Sequence, residues 1–150
     1  MSRYLDAPET VIEMMNNIKK EHFPELANCK IKILMDSKKK MNKGNYVFGR
    51  IKSTNELEKY LTADNMNTDG NDFIMFLDSN LFDNITIADE EKIIRHELRH
   101  LTYDSNSNSN PYKLVGHDVE DFKAELELNK DDMDWKDRVS SIAESIYSKD

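Results

Sequence analysis

The stretch KIIRHELRHL at 92–101 constrains the fold of this chain more than any other part of the sequence. Its apolar residues recur three and four positions apart, which predicts an amphipathic helix with one stripe against a hydrophobic core. The members of that stripe are Ile94, Leu98 and Leu101. On such a helix, His96, Glu97 and His100 fall on a separate, adjacent face. The fold must therefore cover the stripe, while the adjacent face carries two imidazoles and a carboxylate.

Hydrophobic periodicity divides the chain into short strands and helices. Apolar residues predict strands at 30–36, 46–54 and 72–78, of which the last is the most apolar and so the most buried. Helical spacing predicts helices at 8–26, 54–61, 87–103, 119–128 and 132–147. We therefore expect a single α+β domain over residues 1–150. Its small mixed sheet, of about three to four strands, would pack on a helical layer, with further helices at the C-terminal end.

Local signals set the ends and the buried faces of two of these helices. Thr86, with Asp89 three residues later, is the expected cap of the long helix, which should continue to Tyr103. In the shorter helix at 54–61, Thr54 is the expected cap. Its expected inward residues are Leu57 and Leu61.

Composition is typical of a soluble, cytoplasmic protein. The sequence has no apolar run near the roughly 18 residues that a transmembrane helix needs. Its first residues, MSRYLDAPET, lack the apolar centre of a signal peptide. The single cysteine, Cys29, cannot form an internal disulfide and is expected to be a small apolar filler.

The charge distribution argues against nucleic acid as a partner. The net charge is −8, with 12 Lys/Arg and 8 Asp/Glu in residues 1–60 but 9 and 21 in residues 61–150. An acidic surface of this kind lacks the clustered cations that phosphate contacts need. The exception is SKKKMNKG at 37–44, which is more typical of a solvated turn between strands than of a phosphate-binding patch.

The spacing of the two histidines fits a metal site. His96 and His100 are four residues apart, so on a helix both imidazoles can reach one ion. Glu97, between them, is angled away from direct ligation and could instead take a proton from a water molecule at the metal. The alternative is that both histidines are surface or half-buried residues of a charged helix. The metal site is the better interpretation because the motif lies on a strongly patterned helix that follows a buried strand.

A catalytic zinc site needs a third protein ligand in addition to the two histidines. His117 is the best candidate, because it follows His100 by 17 residues and a Ser/Asn-rich loop of that length can return over the helix. Its alternative role is that of a polar residue at a helix entrance. The competing ligands are Asp118, Glu120, Asp121 and Glu125. The remaining histidine, His22, is expected to be structural.

These stretches together resemble a known family. IIRHELRHL, followed by YKLVGHDVEDF and preceded by GNYVFGRIKST and DFIMFLD, is similar to the putative phage metallopeptidase domain, a small zincin-like fold related in outline to SprT-like metallopeptidases. The resemblance covers roughly residues 30–128. It implies that His96, His100 and His117 bind zinc and that Glu97 is the general base.

The expected function is therefore that of a zinc-dependent metallopeptidase acting on a protein or peptide, in the host-cell cytoplasm if a phage encodes it. The substrate would lie extended along an exposed sheet edge, for which residues 46–53 are the best candidate. The alternative is a catalytically idle zincin-fold binding protein, such as an acidic phage protein that inhibits a host factor. A weaker third possibility is a metal-free structural domain. The sequence indicates no oligomeric state.

Overall fold

The computed structural model of the protein describes residues 2–107, 110–116 and 123–148. Its helices are α1 (Glu9–His22), α2 (Glu56–Thr62), α3 (Ser79–Phe82), α4 (Ile87–Arg99), α5 (Lys123–Leu128) and α6 (Trp135–Tyr147), with a 3₁₀ turn at Pro24–Leu26. Its strands are β1 (Tyr4–Asp6), β2 (Ile31–Asp36), β3 (Met41–Asn42), β4 (Asn45–Tyr46), β5 (Gly49–Ser53), β6 (Phe73–Asp78), β7 (Leu101–Tyr103) and β8 (Tyr112–Leu114). The predicted α+β class is confirmed.

A mixed four-stranded sheet forms the centre of the fold, in the order β1-β2-β6-β5. β2 and β6 are parallel, with Ile31 opposite Phe73, whereas β1 and β5 run antiparallel to their neighbours. The three predicted strands correspond to β2, to β4 with β5, and to β6, and every residue of β6 is buried as expected. β1 was not predicted. β5 lies at one edge of this sheet, so one side of its backbone has no strand partner within it.

The hydrophobic core lies between one face of this sheet and three helices. Alternate residues of β6 point into it, because successive side chains of a strand face opposite sides. They are Phe73, Met75 and Leu77. α1, α4 and α6 supply apolar stripes, and burying each large apolar side chain contributes roughly 1.5–3 kcal/mol. Ile94, Leu98 and Leu101 join this core as predicted, and Cys29 fills part of it.

The long helix α4 begins as predicted and ends four residues early. The Thr86 side chain accepts a hydrogen bond from the Asp89 amide at 3.2 Å. The expected end at Tyr103 is wrong, because α4 stops at Arg99 and His100 is its C-cap. Residues 101–103 form β7 instead, which pairs with β8 in a two-stranded sheet. Aromatic and β-branched residues favour this extended pairing over another turn of helix.

The short helix α2 is placed differently from the prediction. Asn55, not Thr54, is its N-cap, and Asn55 forms a capping box with Glu58. The Thr54 hydroxyl instead donates to the Asn71 carbonyl oxygen at 2.6 Å. Leu57 and Leu61 do not face inward, since they are 63% and 68% exposed. No residue of α2 is buried, so hydrogen bonds rather than apolar packing hold this helix.

Two further expectations concern loops and membranes. The lysine-rich segment at 37–44 contains the expected turn, a hairpin between β3 and β4 in which Lys43 and Gly44 both have positive φ. Within the described residues, no helix is long and apolar enough to cross a bilayer. The predicted helix at 119–128 is described only from Lys123 onward.

Candidate metal centre

α4 brings His96, Glu97 and His100 together at the edge of the core. Their potential metal-binding atoms all lie within 4.8 Å of one another. The two imidazole rings are 5.4 Å apart between centroids and nearly perpendicular, at 75°. Residues four apart on a helix are neighbours along one face, which is why the sequence spacing translates directly into this cluster.

The backbone around Val115 fixes the orientation of the His100 ring. His100 Nδ1 lies 2.7 Å from the Val115 carbonyl oxygen, and the Val115 amide donates to the His100 carbonyl oxygen at 2.6 Å. Because a carbonyl oxygen can only accept, Nδ1 must carry the proton in this contact. In this tautomer Nε2 is the ring nitrogen that carries the lone pair, and a backbone partner on the other nitrogen is usual for a metal-binding histidine.

Glu97 is almost fully buried beside the edge strand. Its residue exposure is 6%, and this burial raises the pKa of the carboxyl group to about 7, against a lowering influence from His96. Gly49 of β5 lies directly against it, since a Cβ atom at position 49 would be 3.4 Å from Glu97 Cγ. A carboxylate with a pKa near neutrality is suited to take up and release a proton.

The cluster forms the floor of an open cleft of about 800 Å³. One wall is the segment 45–51, which includes β4 and the start of β5, and the opposite wall is the end of β8 with Val115 and Gly116. Ile93 and Trp135 line it from α4 and α6, and both are almost fully buried. Leu114 and Val115, by contrast, are 43% and 38% exposed. The cleft therefore combines apolar walls with the polar His96, Glu97 and His100 at its floor.

The side chains that flank the histidines on α4 have a different role. Arg95 donates to Glu125 Oε1 at 2.7 Å, and Arg99 donates to Glu125 Oε2 at 2.8 and 3.1 Å. Arg99 therefore pairs with a carboxylate and not with the histidines beside it. The expectation of Glu125 as a competing metal ligand is wrong, because both of its oxygens are bound by arginines. Sequence reasoning did not find the part played by Arg95.

The remaining candidates are distributed as follows. His22 ends α1, where its ring lies 6.3 Å from that of Phe23, and it is not part of the metal-capable group found among the described residues. Tyr103, which a continued helix would place on the metal side, lies instead in β7. His117 and the competing ligands Asp118, Glu120 and Asp121 lie outside the described residues.

The donor set fits a divalent transition metal. Imidazole nitrogens are preferred ligands of zinc, and an adjacent carboxylate can bind either the ion or a water molecule at it. Two imidazoles and a carboxylate are present here, with their ligand atoms within 4.8 Å of one another. The ring orientation of His100 further matches a ligand whose second nitrogen is held by a backbone carbonyl.

The mixed sheet, the histidine-bearing helix below its edge strand and the His-Glu-His cluster define a small zincin-like domain. The model of the family described as "Putative phage metallopeptidase" matches residues 2–146, and the chain belongs to that family. Membership indicates a metallopeptidase-like function with a metal cofactor and a protein or peptide substrate. No curated protein and no solved structure matches the chain.

Proposed function

We propose that this protein is a zinc-dependent metallopeptidase of phage or prophage origin, formed by one domain over residues 1–150. His96, His100 and His117 bind the zinc ion, and Glu97 is the general base. The observation that carries the proposal is the convergence of His96, Glu97 and His100 on the floor of a cleft beside an edge strand. The reaction takes place in the cytoplasm of the host cell.

The course of the backbone supports His117 as the third ligand. Val115 is hydrogen-bonded to His100 through both its amide and its carbonyl group. Gly116 lines the same cleft, and His117 follows it directly in the sequence. Three protein ligands are typical of catalytic zinc sites, and no other histidine follows His100.

The chemistry assigns a proton-transfer role to Glu97. A zinc ion at this site would supply Lewis acidity, lowering the pKa of water and polarising a peptide carbonyl. The Glu97 carboxylate accepts one proton of the attacking water as the new C–O bond forms. It then gives that proton to the amide nitrogen as the C–N bond breaks. Its burial keeps bulk water from competing for this proton.

The edge strand offers a path for the substrate. β5 has no neighbour on its outer side within the sheet, and it borders the cleft above Glu97. An extended peptide can pair with such an edge through main-chain hydrogen bonds, which need no particular side chain. The apolar walls of the cleft would then receive apolar side chains next to the cleaved bond.

Glu97→Gln tests the proposal against the alternative, a catalytically idle binding protein. Neither the described residues nor the comparisons offer an observation that favours this alternative. The variant should keep zinc and lose hydrolysis of denatured casein and of a mixed peptide library, by at least about 100-fold. Glu91→Gln, an exposed carboxylate on the same helix, is the matched control and should retain activity. Cleavage that persists in purified Glu97→Gln protein would reject Glu97 as the base.

A further inference from the structure

We propose that Arg50 of β5 determines the substrate class of the cleft, by binding an acidic side chain of a peptide that pairs with the edge strand. The inference rests on the proposed function, because it concerns the peptide that the same cleft would cleave. The preferred substrate carries aspartate or glutamate beside the residue that pairs with Gly49. Arg50 takes no part in breaking the bond.

The hydrogen-bond register of β5 determines which of its backbone groups face the open edge of the sheet. The Asp78 amide of β6 donates to the Phe48 carbonyl oxygen at 3.1 Å, so residue 48 directs its backbone groups toward β6. In an antiparallel pair, hydrogen-bonded and non-hydrogen-bonded residues alternate. Arg50 therefore also faces β6 with its backbone, whereas Gly49 and Ile51 direct their N–H and C=O groups to the open edge. A substrate strand would form its main-chain hydrogen bonds with Gly49 and Ile51.

A strand added at this edge would present its side chains alternately to the two faces of the sheet. The residues that pair with Gly49 and Ile51 present theirs to the core side, where Glu97 and the cleft lie. The residue between them lies across from Arg50 and presents its side chain to the opposite face of the sheet, the outer face. Because this pair is not hydrogen-bonded, its Cα atoms are only about 4.5 Å apart and its side chains are close together. Arg50 is thus the sheet residue that contacts this substrate side chain.

The guanidinium of Arg50 differs from three other basic groups on or beside the outer face, each of which is paired with a carboxylate. The pairs are Arg3–Asp36 at 2.8 Å, Lys32–Asp6 at 3.0 Å and Lys52–Glu58 at 2.7 Å. Among the residues that the structure describes, Arg50 has no such ion-pair partner. A carboxylate brought in by the substrate would provide one.

An aromatic ring holds Arg50 in place. Its guanidinium carbon lies 3.8 Å from the centre of the Phe76 ring, which is a cation–π contact. Phe76 is itself buried, and the Tyr4 ring lies 5.7 Å from it. A guanidinium that lies over an aromatic ring keeps its N–H donors for a carboxylate. A side chain that is ordered in this way loses less conformational entropy when it binds.

The small depression beside Arg50 has an excess of positive charge. Arg50, Lys38 and Lys40 line it, together with the carboxylates of Asp36 and Asp78. Both carboxylates accept hydrogen bonds from other side chains, at 2.6 to 2.9 Å. These surroundings favour an acidic substrate side chain across from Arg50 and disfavour a basic one.

A synthetic library of short randomised peptides with blocked termini tests the inference. The zinc-loaded full chain cleaves the library, mass spectrometry identifies the products, and only cleavages that Glu97→Gln does not produce are counted. Aspartate and glutamate should be enriched about tenfold at one position within about two residues of the cleaved bond. Arg50→Gln should remove this enrichment, and Arg50→Glu should replace it with lysine and arginine. Lys32→Gln breaks an ion pair on the same face but away from the edge, and it is the matched control that should keep the acidic preference.

A pair of peptides provides a second test, which needs no folded variant. One is a cleaved peptide with glutamate at the selected position, and the other has glutamine there. Their kcat/KM values for the natural protein should differ about tenfold at low ionic strength, and the difference should shrink in about 0.5 M sodium chloride because salt screens a partly exposed ion pair.

Two kinds of failure are distinguishable. Cleavage without an acidic preference, or an acidic preference that Arg50→Gln retains, would overturn the role of Arg50 and leave the proposed function standing. A library with no Glu97-dependent cleavage at all would overturn the proposed function, and the inference with it.

Discussion

Glu97 lies next to Gly49, and a side chain at position 49 would fit only if its neighbours moved. A Cβ atom there would lie 3.4 Å from Glu97 Cγ and 3.2 Å from both the Phe76 carbonyl oxygen and Leu77 Cδ2. Glycine at position 49 therefore lets the edge strand pass close to the carboxylate without displacing these neighbours. The proposed path of the substrate and the proposed base are thus linked by this one residue.

Gly49→Val should damage both stability and activity. The added methyl groups must displace the β6 backbone, Leu77 or Glu97, and overpacking of this kind costs about 1–3 kcal/mol. Because Glu97 is one of the groups displaced, kcat should fall more than KM rises. Urea unfolding and steady-state kinetics measure the two effects. Ser53→Val, at the exposed end of the same strand, is the control. If Gly49→Val has the same stability and the same kinetic constants as Ser53→Val, the close approach of Gly49 to Glu97 is not important for either property.

The metal-free protein should lose stability as the pH rises, because of Glu97. Burial raises the pKa of this carboxyl group from 4.5 to about 7 in the folded state. The stability that accompanies the raised pKa is fully present below pH 4.5 and is lost as the pH rises through about 7. In the presence of a chelator, Glu97→Gln should therefore be more stable than the natural protein at pH 8, by up to about 3 kcal/mol, and the difference should shrink at pH 5. Urea unfolding at the two pH values measures this, and a difference that is independent of pH would contradict it.

Cys29 should be unreactive in the folded protein. The residue is 2% exposed, and burial raises the pKa of its thiol from 9.0 to about 12, with a smaller raising influence from Asp72. Since the thiolate is the reactive form, labelling by a disulfide reagent at pH 8 should be slow in the native state and fast in 6 M guanidinium chloride. Stoichiometric labelling of the native protein within seconds would show that the thiol is accessible.

Removing Arg138 should destabilise the junction between α4 and α6. Asp89 is 1% exposed and accepts hydrogen bonds from Arg138 at 2.6 and 3.1 Å. Arg138→Gln leaves this buried carboxylate with weaker partners, at a cost of about 3 kcal/mol in the free energy of unfolding. Lys130→Gln removes an exposed ion pair with Glu127 and should cost less than about 1 kcal/mol. Equal losses from the two substitutions would argue that the Asp89 pair contributes no more than a surface pair.

Periodic patterns predicted the part of the fold that carries the site. The unbroken apolar run of β6 and the helical stripe of α4 are local signals, and they placed β6 and the start of α4 correctly. The sequence spacing also predicted that His96 and His100 lie close together, because residues four apart on a helix are neighbours on the same face. Ten residues of sequence were therefore enough to predict the His96, Glu97 and His100 cluster.

Features that depend on long-range pairing could not be predicted in this way. The C-terminal end of α4 was misplaced because the preference of residues 101–103 for a strand depends on β8, which lies nine residues further on. The leucines of α2 have a helical spacing, yet both are exposed in the part of the chain that the structure describes. Glu125 looked like one acidic residue among several, and only the packing of α5 on α4 shows that it binds Arg95 and Arg99. Each of these outcomes is decided by a partner that is distant in the sequence.

Metal analysis of the purified protein tests the central claim, which is that α4 and the returning chain bind one zinc ion. After equilibration with zinc and removal of the unbound metal, inductively coupled plasma mass spectrometry should find about one zinc per natural chain. The His96→Ala/His100→Ala double variant should retain none, and His117→Ala should hold zinc weakly enough to lose it on dialysis. A natural chain without zinc, or a double variant that binds as much zinc as the natural chain, would contradict the account.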